Sequence, residues 1–158
     1  RDPEMSRGLG DVYKRQDPKQ AIKAMTEANS YDGPAIVIAY SPCQQHGMPA
    51  KLGMSHQADE QRKAVESGYW PLYRYDPRRR EKGENPFQLD FKKLKIQVSE
   101  FLEGENRFAM LDRANPEKAK MLHEELQKEV EKRHAERVRM AMSDKQLYKE
   151  LKKTYGKK

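Results

Sequence analysis

Residues 35–47 read AIVIAYSPCQQHG, five aliphatic residues and a tyrosine that run into a Ser-Pro-Cys turn. Residues 35–40 are apolar throughout and half of them are β-branched, the pattern of a strand covered on both faces in a parallel or mixed sheet with flanking helices. The stretch before it, NSYDGP (29–34), ends the preceding element: Gly33 can take up a positive φ, and Pro34 cannot continue a hydrogen-bonded ladder. Helix, short turn and doubly buried strand is the α/β alternation. In such sheets functional residues gather just beyond the carboxyl ends of the strands, where Ser41, Pro42 and Cys43 stand.

Working outward, Asp17-Pro18 reads as an N-cap followed by the first helical position, where proline forfeits no hydrogen bond. Ala21, Ile22, Met25 and Ala28 follow at helical spacing and predict about three turns of amphipathic helix. Beyond the Gly- and Met-rich stretch 47–54, Ser55, Ala58, Arg62 and Val65 predict a second helix stopped by Gly68. YWPLYRYD (69–76) favours a strand that Pro71 restricts to an edge or a strand start. DPRRREKGENP (76–86) is a polar excursion, and FQLDF (87–91) a second short extended piece. Residues 98–113 predict one helix with Phe101, Leu102, Phe108 and Leu111 on its apolar side. Asn115-Pro116 restarts a long helix with a thin stripe of Ala119, Leu122, Leu126, Val130 and Val138. Ser143-Asp144 is a break before Leu147, Leu151 and Tyr155.

Of the 158 residues 35% are hydrophobic and 36% charged, and the apolar ones bunch within residues 21–111, so a self-sufficient core would be small and the chain reads as part of a larger domain. It begins with Arg1, which points to sequence missing upstream. Residues 1–16 lack helical or strand periodicity, and GLGDVYKRQ within them resembles translated adaptor sequence, so 1–16 is read as a non-native leader. A single cysteine excludes an internal disulfide, and the charged start lacks the apolar core of a secretory signal. The longest apolar run, 35–40, falls far short of the roughly 20 residues that span a bilayer. The cytoplasm is therefore the expected compartment, with no membrane partner. The net charge of +7 is concentrated at one end: residues 116–158 hold 13 Lys and Arg against 8 Asp and Glu, a surplus of five.

Three roles are open to Cys43 from its surroundings alone: a small packed hydrophobe beside the strand, a nucleophile served by His46 three residues on, or a metal thiolate. One cysteine cannot build an iron-sulfur or zinc site, so the last role needs partners elsewhere.

EANSYDGPAIVIAYSPCQQHG (27–47), followed by GM, then AVESGYWPLYRYDPRRREKGENPFQLD (64–90) and EFLEGENRFAMLDR (100–113), resembles the carboxyl-terminal part of pyruvate:ferredoxin (flavodoxin) oxidoreductase. The resemblance covers about residues 17–125 and rests on several motifs in the same order. It implies a large, oxygen-sensitive, homodimeric enzyme that depends on thiamine diphosphate and magnesium. Such an enzyme oxidatively decarboxylates pyruvate, joins the acetyl group to coenzyme A, and passes electrons through three four-iron four-sulfur clusters to ferredoxin or flavodoxin. It also implies that Cys43 is the distant fourth ligand of the cluster nearest the thiamine. A thiolate on a turn stiffened by Pro42 would be an ordered ligand, with backbone N–H groups able to tune the cluster.

The family's Gly-Asp-Gly motif for diphosphate and magnesium and its Cys-x-x-Cys-x-x-Cys runs do not occur in this chain. No catalytic residue is therefore expected within it, and the fragment alone is expected to be inactive. The resemblance implies that residues 17–113 close the thiamine-diphosphate-binding domain and that 114–158 form a basic amphipathic helical tail. His46 is not assigned a site role. Arginines 78–80 read as a solvated loop. The alternative is a small basic nucleic-acid-binding module with a structural cysteine, suggested by the arginines among aromatics and by the basic tail, although Glu124, Glu125, Glu129, Glu131 and Glu136 interrupt the tail's positive field.

Overall fold

The computed structural model describes residues 18–41, 43 and 56–143. Helix α1 (Pro18–Asn29) opens at the expected proline; Asp17 lies outside the described residues. Helix α2 (Gln57–Glu66) follows, then strand β1 (Tyr73–Tyr75), a 3-10 turn (Pro77–Lys82) and strand β2 (Phe87–Leu89). Helices α3 (Val98–Leu102), α4 (Asn106–Ala114) and the 25-residue α5 (Pro116–Met140) complete the order. The architecture is mixed: helices around one small antiparallel sheet, with a helical carboxyl-terminal stretch.

Helix α2 stops where Gly68 adopts a left-handed φ of +81°, and a side chain there would also meet Leu94, whose Cδ2 lies 2.7 Å from the position of a Cβ. After Pro71 the chain enters β1, which pairs antiparallel with β2 in the register Tyr73 to Leu89, Arg74 to Gln88 and Tyr75 to Phe87. The polar excursion is more ordered than a solvated loop. Asp76 caps the 3-10 turn by accepting from the Arg78 N–H (3.0 Å), and the Arg78 guanidinium donates to Asp76 and to the Ser30 carbonyl (2.8 Å).

Two expectations are corrected. Residues 35–40 form no strand: the segment is open to solvent, with Ile36 85%, Val37 40% and Ile38 73% exposed. Its apolar sequence is that of a covered strand, but the sheet among the described residues holds only β1 and β2, and a strand is stable only against a partner that takes up its N–H and C=O groups. The helix expected over 98–113 is two helices, α3 and α4, broken at residues 103–105. The break contains Gly104, a poor helix former. Gly104 presses on the carboxylate of Glu60, so closely that a Cβ at Gly104 would lie 2.1 Å from Glu60 Oε2. The next residue turns its own carboxylate, Glu105, inward.

The core joins Ala64 of α2, Val98, Phe101 and Leu102 of α3 and Val130 of α5, with Tyr40, Tyr69, Trp70, Phe108 and Leu126 packed against it. Helix α5 restarts as expected, its first turn capped by Asn115, whose side chain accepts from the Lys118 N–H (3.1 Å). Of the predicted stripe Ala119 and Val130 are buried, while Leu122 remains 37% exposed. The helix lies along the body: Gln127 accepts from the Val98 N–H (2.8 Å), His134 meets the Lys92 carbonyl (2.9 Å), and Asn85 donates to the carbonyls of Met140 and Met142 (2.7 and 2.9 Å). At the other end α1 is tied to the hairpin through Gln20 to Asp90 (2.9 Å) and an ion pair of Glu27 with Arg74.

Candidate functional site

Cys43 is exposed, just beyond the extended segment and away from the packed interior. That position argues against the small buried hydrophobe. Pro42 and His46 lie outside the described residues, so a thiol-imidazole pair has no geometry here. No group of three or more His, Cys, Asp or Glu able to hold a metal ion occurs among the described residues. An accessible sulfur at the edge of the fold fits one ligand of a group whose remaining ligands come from elsewhere.

Three residues before Cys43, at the end of the exposed segment, Tyr40 turns back into the fold. Its ring lies 5.3 Å from the ring of Trp70 and 6.5 Å, edge-on, from that of Phe101. The hydroxyl donates to Glu105 Oε1 at 3.4 Å, and the backbone carbonyl accepts from Gln61 Nε2 at 3.3 Å. A carbonyl can only accept, so the amide of Gln61 must present its NH2 group here. Burial and the Glu105 charge push the Tyr40 phenol well above its ordinary value, which keeps it a neutral donor.

Beneath Tyr40 two carboxylates share a buried pocket. Glu105 is 1% exposed and paired with Arg107 (3.1 Å), and Glu60 is 3% exposed and paired with Lys63 (2.8 Å). Burial raises the Glu105 carboxyl; Arg107 opposes the rise and the charge of Glu60 adds to it. Sequence reasoning singled out Cys43 and missed Tyr40, Gln61, Trp70 and Glu105. Tyr40 and Glu105 stand 65 positions apart and belong to no short motif. The one signal available was that Tyr40 closes the apolar run, where an aromatic with a polar tip can turn back into a core.

Arg78 engages Asp76 and Ser30, and Arg79 engages Asn85 and Glu84, so these arginines serve local structure. No helix among the described residues is long and apolar enough to cross a membrane.

The chain matches no protein-family model. It is 48% identical over 103 residues to the pyruvate:ferredoxin oxidoreductase of Moorella thermoacetica, covering 65% of this chain and 8% of that protein. It is 46% identical over 134 residues to the pyruvate-flavodoxin oxidoreductase of a Nostoc species, covering 82% of this chain and 11% of that protein. To a protein of Euglena gracilis named pyruvate dehydrogenase (NADP+), mitochondrial, it is 42% identical over 127 residues, 78% of this chain and 7% of the relative. The chain thus spans about a tenth of the length of the curated relatives it matches. A nucleic-acid-binding module finds no support among them. Identity of this extent, over most of the chain and across the motifs quoted above, means that the chain belongs, as a segment, to the pyruvate:ferredoxin (flavodoxin) oxidoreductases.

Proposed function

We propose that the chain is a segment of an enzyme that oxidatively decarboxylates pyruvate, joins the acetyl group to coenzyme A and delivers the electrons to ferredoxin or flavodoxin. Each turnover converts pyruvate and coenzyme A to acetyl-coenzyme A and carbon dioxide and releases a proton and two electrons, which iron-sulfur clusters accept singly. The observation that carries this reading is the similarity, at 37–48% identity, to pyruvate oxidoreductases along most of the chain.

Within that enzyme Cys43 supplies one thiolate to a four-iron four-sulfur cluster, the one nearest the thiamine, and the other three ligands come from outside this chain. The exposed position of Cys43 supports this assignment, since a ligand shared between parts of a protein must be reachable from outside its own core. Thiamine diphosphate and magnesium are held elsewhere, because no Gly-Asp-Gly motif occurs in these residues. Residues 17–113 form part of the thiamine-diphosphate-binding domain, in which the uncovered segment 35–40 becomes a paired strand; residues 114–158 form the tail, of which 144–158 lie outside the described residues. The complete enzyme is a homodimer.

The test is an anaerobic assay of the complete enzyme. Pyruvate and coenzyme A together reduce ferredoxin or flavodoxin with release of carbon dioxide, while this chain alone reduces neither. An enzyme that reduces neither acceptor with pyruvate contradicts the assignment.

A further inference from the structure

We propose that the outer edge of β1, at Tyr73–Tyr75, docks an extended acidic segment of another protein, which adds to the hairpin as a third strand. The Asp90 N–H donates to the Leu72 carbonyl (2.9 Å) and the Asp76 N–H to the Pro86 carbonyl (3.1 Å), so Leu72 with Asp90 and Asp76 with Pro86 are hydrogen-bonded pairs. Such pairs alternate with non-hydrogen-bonded ones along an antiparallel ladder. Tyr73 with Leu89 and Tyr75 with Phe87 are therefore the non-hydrogen-bonded pairs, and the main-chain N–H and C=O groups of both tyrosines point away from β2. Among the described residues no hydrogen bond reaches them on that side. The edge of β2 is not open in the same way, because α5 packs along that strand: Asn85 donates to the Met140 and Met142 carbonyls, and His134 meets the Lys92 carbonyl.

Two features say what fits the edge. The first is contact area. Tyr73 is 49% and Tyr75 55% exposed, although they share a face with the buried Phe87 and Leu89, and the Tyr73 ring stacks on Phe87 with centroids 5.3 Å apart. Lysines alone blunt a strand edge against aggregation, but half-exposed tyrosines beside arginine are what interfaces use for contact. The second is charge. Residues 73–95 hold 8 Lys and Arg against 4 Asp and Glu. Three of those acids are engaged, Asp76 by Arg78, Glu84 by Arg79 and Asp90 by Arg74. Arg80 and Lys82 lie in the connection beyond Tyr75, and Lys92 and Lys93 just past Leu89, the partner of Tyr73; all four are exposed.

An edge flanked at both ends by cations repels a second copy of itself, since β1 laid against β1 brings like charges together. It accepts a strand of the opposite sign. The outward N–H and C=O groups of Tyr73 and Tyr75 supply the main-chain hydrogen bonds, and their rings cover the apolar side chains of the incoming strand. Acidic residues at its two ends meet Arg80 and Lys82 on one side and Lys92 and Lys93 on the other, which fixes the sign of the partner.

The test uses the complete, anaerobically purified enzyme and three fluorescent peptides. One is Glu-Glu-Val-Thr-Val-Glu-Glu, the second has lysine in place of each glutamate, and the third, Glu-Glu-Pro-Pro-Pro-Glu-Glu, keeps the charge but has no N–H to donate at its centre. The first is expected to bind saturably, to slow amide exchange at residues 73–75, and to weaken as salt rises. The other two are expected to bind about 10-fold more weakly or not at all. Tyr75→Pro removes an outward N–H that the pairing with β2 does not use, and is expected to weaken the first peptide about 3- to 10-fold. Arg80→Glu combined with Lys82→Glu is expected to weaken it about 10-fold, and decides if Tyr75→Pro does not fold. Equal binding of the lysine or the proline peptide overturns the proposal, as does unchanged binding by a folded variant. Failure of the acidic peptide to bind overturns it as well, since the edge is then covered by the rest of the enzyme or by a second copy.

Discussion

Arg74 grips Asp90 through two parallel hydrogen bonds, Nε to Oδ2 at 2.8 Å and Nη2 to Oδ1 at 2.7 Å, and the same guanidinium reaches Glu27 of α1 and Gln88 of β2. The arginine is 8% exposed and Asp90 15%, so the pair sits largely out of water, and both carboxylates depend on one cation. Arg74→Met leaves two partly buried carboxylates without their partner and is expected to cost about 3–5 kcal/mol. Arg74→Lys restores the charge but lacks the fork that meets Asp90 twice, and is expected to recover less than half of that loss. Urea unfolding of this chain followed by circular dichroism measures both. A cost below about 1 kcal/mol for Arg74→Met, typical of an exposed pair, would contradict the description.

The partly buried Asp90 and the buried Glu105 make stability depend on pH in opposite directions. Burial alone would raise the Asp90 carboxyl, but hydrogen bonds from Arg74 and Gln20 outweigh it and hold the group below its ordinary value. A folded-state value below the unfolded one, about 3.9, gives stability that is present above that pH and lost as pH falls through the folded value. Glu105 is raised, so its contribution is present below the ordinary glutamate value, about 4.3, and lost as pH rises through the folded value. Glu105→Gln is therefore expected to flatten the decline on the rising side and leave the acid limb in place. Urea midpoints collected across pH for parent and variant check this; an unchanged rising side would remove Glu105 from the account.

Phe101 is fully buried in the core, 4.7 Å from the ring of Tyr69 as well as edge-on to Tyr40. Phe101→Ala is expected to cost about 3–5 kcal/mol. Because Trp70 packs on Tyr40, its fluorescence should shift to the red as that contact loosens. A destabilised variant with unshifted emission would mean that the Tyr40 contact does not depend on Phe101.

Much of the fold was legible because its signals are local. Pro18, Gly68, Pro71 and Asn115-Pro116 mark element boundaries through backbone restrictions that each residue carries itself, and the structure puts a boundary at or within two residues of each. The break between α3 and α4 contains a local signal, Gly104, a poor helix former, which the helical spacing of Phe101, Leu102, Phe108 and Leu111 outweighed; its contact with Glu60, 44 positions away, could not be read from the sequence. Residues 35–40 carry the composition of a covered strand, yet composition says nothing about whether the covering strand lies in the same chain. Cys43 could be singled out by its place after an apolar run, whereas the cluster around Tyr40 could not, because Tyr40, Gln61 and Glu105 meet only through folding.

The uncovered segment yields its own expectation. Amides of residues 35–39 should exchange with solvent rapidly in this chain and, on the proposed pairing with a neighbouring strand, become protected by orders of magnitude in the complete enzyme. Hydrogen exchange read by mass spectrometry on the two proteins compares them directly. Rapid exchange in both would show that the segment never becomes a strand.

The measurement that bears most directly on the account is an iron determination with anaerobic EPR on the complete enzyme carrying Cys43→Ala. With Cys43 as a ligand, one cluster is expected to be lost or converted, with lower iron content or an altered signal, and pyruvate to reduce ferredoxin or flavodoxin more slowly. Iron content and spectrum identical to the parent would contradict the ligand role and return Cys43 to an exposed thiol with no part in the electron path.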